Sequence, residues 1–256
     1  MSAKHESLAA WLDHIERMHP RGEAGIELGL DRVAIVAAEL RHAKRLAGKP
    51  IFTVGGTNGK GSVVTYLSNI LDRAGYKVGT YTSPHLVHFN ERIRLNGVPV
   101  EDARIVAAFD RVEEARAITG ETLTYFEFTT LAAMEVFLAA DVDVMVLEVG
   151  LGGRLDAVNL YDPDVAVVTG VALDHQDYLG STREAIALEK IGIARAGQPI
   201  VVAEPDLPVS ARKQLAEKGA IVYLIGEAFG FEPLAGEEGL PSIQWRYWQR
   251  KPGTPV

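Results

Sequence analysis

The segment Gly55-Gly56-Thr57-Asn58-Gly59-Lys60-Gly61-Ser62 stands directly after an apolar run and directly before a helix-period run, the setting a phosphate-binding loop requires. Glycines let the backbone fold tightly enough for several N–H groups to face one anion. The following helix contributes its positive end, and Lys60 adds a mobile full charge. Such a loop holds the β- and γ-phosphates of a nucleotide. The competing reading, a glycine-rich turn with a solvated lysine, does not account for strand, loop, lysine and helix falling in register. A generic phosphate loop has Gly where Val54 stands and Ser or Thr where Gly61 stands. The hydroxyl after the lysine normally holds magnesium, so here the metal needs ligands from elsewhere.

Open α/β sheets place their sites at the carboxyl ends of strands, and three candidates stand at such ends: Ser83, Glu148 and His175. A carboxylate that terminates an apolar strand of a nucleotide-binding sheet commonly meets Mg2+ directly or through water. For Glu148 the alternative is a buried, hydrogen-bonded carboxylate. For His175 it is a solvated loop histidine, since Mg2+ prefers oxygen. Lys190 lies four residues after Ile186 and three before Ile193, on the same helix face, so it points inward. A buried lysine must be paired, neutral or modified; the alternative is that it snorkels to the helix end.

The elements that hold these residues read as an α/β fold, a mostly parallel sheet flanked by helices. Strands are expected over residues 51–54, 78–81, 142–149, 165–171, 200–203 and 221–225, rich in Val and Ile with few interior charges, as suits strands covered on both faces. Val63, Leu67, Ile70, Leu71 and Ala74 mark a helix stopped by Gly75, and Ile105, Phe109 and Val112 another stopped by Gly120. Ser181 and Glu184 form a capping box for a helix that Gly197 closes. One amphipathic helix is expected over residues 31–46, after a loop over residues 21–29. Asn96-Gly97 predicts a two-residue hairpin, a small antiparallel excursion. After Gly226 the chain turns Gly- and Pro-rich. Ile243, Trp245 and Tyr247 alternate with polar residues like one strand with no partner, and this tail is expected to be poorly ordered.

Composition bounds the class. The 256 residues carry 26 Lys plus Arg against 34 Asp plus Glu, a net charge of −8, which argues against a nucleic-acid backbone or an anionic membrane as the main partner. The absence of cysteine excludes disulfides, thiolate metal sites and cysteine nucleophiles, and a reducing cytoplasm fits. The most apolar stretch, residues 131–149, is broken by Glu135, Asp141, Asp143 and Glu148, short of the ~20 apolar residues a membrane span needs.

The motifs VGGTNGKGS (54–62), TSPHL (82–86), TYFEF (124–128), LEVGLGGRLDAVN (147–159), LDHQDYLG (173–180) and EKIGI (189–193) together resemble the folylpolyglutamate synthase and dihydrofolate synthase family, a branch of the Mur ligase superfamily. TSPHL and TYFEF separate that branch from the peptidoglycan-type ligases, the alternative. Met18-His19 and the segment IELGLDRV resemble the bacterial bifunctional type. The resemblance implies ATP-driven amide formation, in which L-glutamate is added to dihydropteroate or reduced folates through an acyl phosphate. It implies that Thr57, Asn58, Gly59, Lys60, Gly61 and Ser62 contact ATP, that Ser83, Glu148 and His175 hold Mg2+, and that Lys190 is carbamoylated, an anion able to hold a second Mg2+ and steer the γ-phosphate. With His175, Lys60 and Lys190 are the expected catalytic groups. Arg17, Met18, His19, Thr124, Tyr125, Phe126, Glu127, Arg154 and Leu155 match stretches lining the pterin-side pocket, although Phe126 and Phe128 also suit a core and Arg154 an ion pair. The resemblance further implies a monomer.

On domains, residues 1–225 are expected to form the ATP-binding unit and residues 226–256 an incomplete part of it, without the family's glutamate-ligase domain. The alternative is therefore a truncated nucleotide-binding fragment without ligase turnover.

Overall fold

The computed structural model describes residues 5–18, 26–234 and 244–250. Eight strands form one sheet: β1 (Ile51–Gly55), β2 (Val78–Tyr81), β3 (Ile93–Leu95), β4 (Val98–Pro99), β5 (Val144–Glu148), β6 (Val165–Val168), β7 (Pro199–Val202) and β8 (Ile221–Leu224). Their order is β4-β3-β2-β5-β1-β6-β7-β8. All six strands from β2 to β8 in that order run parallel, and β3 and β4 add the antiparallel excursion. Asn96 and Gly97 at its tip both take positive φ, as an Asn-Gly hairpin turn demands.

Alternation along each strand decides what lies on each face. Ile51, Met145 and Leu147 enter a core built with Trp11, Phe109, Phe128 and Phe137 from helices α1 (Leu8–Met18), α5 (Asp102–Thr119) and α6 (Tyr125–Ala140). Val54, Val144 and Val146 enter a second core with Val64, Leu67 and Leu71 of α4 (Lys60–Arg73). Glu148 shares the parity of Val144 and Val146, so β5 delivers its carboxylate to the α4 side, beneath the glycine-rich loop. Along β6 and β7, α8 (Arg183–Lys190) and α9 (Val209–Lys218) build a third core through Ile186, Ala187, Ala211 and Leu215. No helix among the described residues is long and apolar enough to cross a membrane.

Three expectations need correction. The helix expected over residues 31–46 is two helices, α2 (Asp31–Glu39) and α3 (His42–Arg45), because Arg41 turns to φ 58°. The break turns His42 into the interior, where its ring lies 2.8 Å from both the Tyr161 hydroxyl and Glu135 Oε1. Helix α8 is capped by Thr182, whose hydroxyl accepts from the Ala185 N–H at 3.2 Å, rather than by Ser181. It ends at Lys190 in a 3-10 turn over Ile191–Ile193, well before Gly197. The reason is contact: a Cβ on Gly192 would lie 2.4 Å from Arg154 Cβ, so the chain is drawn against the 150–156 loop.

The expected lone strand has a partner, since β10 (Trp245–Gln249) pairs antiparallel with β9 (Phe229–Pro233). Trp248 covers Gly230, where a Cβ would lie 2.6 Å from its ring, while Trp245 and Tyr247 stay exposed. Gly230 and Pro233 depress strand propensity in that partner, so its sequence does not read as a strand. Ile243 lies outside the described residues.

Candidate active site

The glycine-rich loop leaves β1 at the centre of the sheet and enters α4 at Lys60. Gly56 is a steric necessity: its φ is 137°, and an added Cβ would lie 2.0 Å from the Thr169 hydroxyl. Gly59, at φ 84°, caps the helix. The loop is tied to the segment after β6. Thr57 N–H donates to Gly170 O (2.9 Å), Ala172 N–H donates to the Thr57 hydroxyl (3.0 Å), and the Thr169 hydroxyl donates to Asn58 O (2.7 Å). Lys60 Nζ curls back over the loop and donates to Gly56 O and Thr57 O, both at 3.2 Å. Ser62 is exposed on the first turn of α4.

Glu148 lies under this loop, 5% exposed. A Cβ on Gly61 would sit 3.7 Å from Glu148 Oε2, so the missing loop hydroxyl is missing from the spot this carboxylate faces. Burial raises the Glu148 carboxyl above the ordinary range, and the Lys60 charge and the Ser83 N–H, 3.4 Å from Oε2, oppose that rise. His175 caps the short helix α7 (Gln176–Leu179) at φ 46°, half-exposed, with Asp174 Oδ2 3.7 Å from its Nε2. Among the described residues no three His, Asp or Glu side chains cluster as metal ligands, so a cation at this rim would have to draw on oxygens such as the Ser83 hydroxyl together with Glu148. That donor set, mostly oxygen around a buried carboxylate beside a phosphate loop, suits Mg2+. Lys190 points inward as expected, 3% exposed; burial, then repulsion from Lys60, lowers its pKa to about 8 against the pull of Asp174.

A cavity of about 460 Å3 opens beside this centre, lined by Thr124, Tyr125, Phe126, Glu127 and Leu155 as well as Ser83 and His175. Ser83 also lines a polar groove that reaches Gly61 and Glu148, and so joins the cavity to the loop. Phe126 presses its ring against Gly150, where a Cβ would lie 2.6 Å away. Thr124 and Glu127 form the capping box of α6, with Thr124 N–H donating to Glu127 Oε2 at 2.7 Å, and Arg32 donates to Glu127 Oε1 at 3.0 Å. Their identities are thus explained by the helix start that aims Phe126 into the cavity. Phe128, by contrast, is core.

Some expected pocket residues are not in its wall. Arg17 is exposed and pairs with Asp13 one helical turn away, and Met18 packs against the α1 side of the core. Arg154 turns away to Glu189 Oε1, at 2.8 Å, because Gly192 takes the space beside its Cβ. His19 lies outside the described residues. Two further residues line the wall. Asp156 is buried, accepts from Leu151 N–H (2.8 Å) and Val158 N–H (2.9 Å), and burial outweighs these bonds to push its pKa up to about 7. Arg92 is 8% exposed, donates to His85 Nδ1 at 2.8 Å, and sits 5.6 Å from the Tyr125 ring centroid. A carboxyl two residues after Arg154 at the head of a 3-10 turn is a legible capping signal; nothing local marks Arg92.

Residues 54–230 match the family model described as Mur ligase middle domain. The dihydrofolate synthase/folylpolyglutamate synthase of Escherichia coli (strain K12) is 47% identical over 224 residues, 88% of this chain and 51% of that protein. The structure of E. coli FolC in complex with DHPP and ADP superposes with a TM-score of 0.87 at 43% identity, over 97% of this chain and 57% of that one. A bifunctional folylpolyglutamate synthase/dihydrofolate synthase with Mn, AMPPNP and L-glutamate bound gives 0.84 at 43% identity, over 99% and 58%. The chain spans about half the length of the curated relatives it matches.

Proposed function

Because the chain belongs to the Mur ligase middle-domain family, we propose that it is the nucleotide- and pterin-binding part of an ATP-dependent ligase that adds L-glutamate to dihydropteroate and to reduced folates through an acyl phosphate. The observation that carries this reading is Ser83, which lines both the groove at Gly61 and Glu148 and the aromatic cavity. A carboxylate in that cavity meets a phosphoryl group held by the loop at one point.

In this reading the backbone of Thr57, Asn58, Gly59 and Gly61, with Ser62, cradles the phosphates, and Lys60 leaves its loop carbonyls to bind the terminal one. Ser83, Glu148 and His175 hold Mg2+, which supplies charge neutralisation on the transferring phosphoryl group. Lys190, with its pKa lowered to about 8, keeps a far larger neutral fraction near pH 7 than an ordinary lysine, and the neutral amine is the form that adds CO2. Carbamoylation turns it into an anion for a second metal. Phe126 and Tyr125 offer flat apolar surface to a pterin, Leu155 closes its wall, and Asp156 accepts from the pterin's N–H edge. Glu127 and Thr124 fix that wall. Arg154, paired with Glu189, ties the wall's loop down from outside. Since the match covers about half of each relative's length, capture of the glutamate amine is assigned to the half it does not reach. A monomer in the cytoplasm completes the proposal.

Calorimetric titration of the chain tests it. ADP with Mg2+ and 7,8-dihydropteroate should each bind, and Lys60→Ala should weaken the first while sparing the second. A chain that binds neither overturns the reading.

A further inference from the structure

We propose that Asn159 and Arg195 form a positioning pair that couples the aromatic cavity to the Lys190 end of α8, an inference resting on the nucleotide-and-pterin reading above. The loop over residues 150–156 carries the cavity wall, including Leu155 and Asp156. Its back lies directly against residues 189–192. Arg154 N–H donates to Glu189 O at 2.9 Å, a Cβ on Gly153 would meet Glu189 O at 2.6 Å, and one on Gly192 would meet Arg154 Cβ at 2.4 Å. With no slack between them, neither segment shifts without the other.

Asn159 and Arg195 lock that contact from outside the cavity. Asn159, 4% exposed, donates its amide N–H to Arg154 O at 2.9 Å, with Gly192 O at 3.5 Å. Arg195 uses one arm of its fork on Gly192 O, Ile193 O and Ala194 O, at 3.4, 3.2 and 3.3 Å. The other arm reaches Asn159 O at 2.9 Å and Oδ1 at 3.1 Å, and Nε pairs with the exposed Asp162. One planar guanidinium therefore joins the turn that follows Lys190 to the asparagine that holds the cavity loop. A point charge cannot serve six oxygens in this way. A ligand that orders the cavity loop thereby orders Lys190, and a nucleotide arriving second meets an ordered site and binds more tightly.

The test uses the full chain, wild type and two variants, titrated with ADP plus Mg2+ and with 7,8-dihydropteroate, each alone and each with the other saturating. Asn159→Asp keeps the acceptor for Arg195 and loses the donor to Arg154 O. Arg195→Lys keeps the charge and loses the fork. In the wild type, dihydropteroate should tighten ADP binding by about fivefold or more. In each variant that gain should fall below about twofold, while each ligand alone keeps its wild-type Kd within about twofold. Full coupling in both variants, no coupling in the wild type, or a loss of coupling only alongside both separate affinities overturns the pair. Wild type that binds neither ligand alone overturns instead the reading on which the pair rests, and the single-ligand titrations separate the two failures.

Discussion

Gly61 and Glu148 face each other across the start of α4, with the space for a residue-61 Cβ 3.7 Å from Glu148 Oε2. That distance is ordinary van der Waals contact, so Gly61→Ser should fold and keep nucleotide affinity within about threefold, returning a hydroxyl to the position a generic loop fills. Glu148→Gln should remove the Mg2+ dependence of ADP affinity. Titrations with and without Mg2+ check both, and an unchanged Mg2+ response in Glu148→Gln would sink the metal assignment.

Among the described residues Lys60 donates to Gly56 O and Thr57 O, bonds it can exchange for a phosphate. A charge-assisted bond of this kind contributes about 1.5–3 kcal/mol, so Lys60→Ala should weaken ADP binding by roughly 10- to 100-fold, with the melting temperature nearly unchanged. An affinity within twofold of wild type would refute the role.

What was legible in the sequence follows from how locally each feature is encoded. All six parallel strands and the phosphate loop announce themselves because Val/Ile runs and glycine spacing act within a few residues. Glu148 and Ser83 can be placed on one rim from the sequence because the strand ends of a parallel sheet share it. The break at Arg41 was not legible, since Leu40 and Arg41 favour helix and the turn is driven by partners more than 90 residues away, Glu135 and Tyr161. Arg154 misled for the same reason: its motif lies at the cavity, but Gly192 and Glu189 decide where its side chain points.

Asp156 brings a pH dependence with a definite sign. Its carboxyl is raised from 3.8 to about 7 in the fold, so the folded state binds the proton more tightly than the unfolded chain. That stabilisation is present at low pH and is lost as pH rises from about 4 to 7. Asp156→Asn should therefore lose stability relative to wild type at pH 5 and lose less at pH 8, as thermal melts at the two values would read. Dihydropteroate affinity should rise through about pH 7 in wild type and stay flat in the variant. Parallel profiles would contradict the assignment.

Lys190 is a buried amine held at a cost in stability. Its amine titrates near 8 in the fold against 10.5 unfolded, mainly through burial, so the destabilisation is complete below pH 8 and fades as pH rises towards 10.5. Lys190→Met should raise the melting temperature, more at pH 7 than at pH 10. With 13C-bicarbonate, wild type should show a carbamate resonance that this variant lacks. A variant less stable at pH 7 would indicate that the buried amine is already compensated.

Glu135 joins three elements from a buried position. Its carboxylate, 1% exposed, meets Arg45, His42 Nε2 at 2.8 Å and Arg111 Nε at 2.5 Å. Burial alone would raise its pKa, but the bonds from His42 and Arg45 prevail and hold it below the ordinary carboxylate value. Its contribution is therefore present above about pH 4.5 and is lost as pH falls below that. Removing one partner of a buried ion pair costs about 3–5 kcal/mol, so Glu135→Ala should lower the melting temperature at pH 7 by many degrees and narrow that deficit at pH 4. Glu135 lies on the far side of the core from the loop, so ADP affinity should persist in whatever fraction remains folded. A variant that melts like wild type at pH 7 would show that α3, α5 and α6 are joined by apolar packing alone.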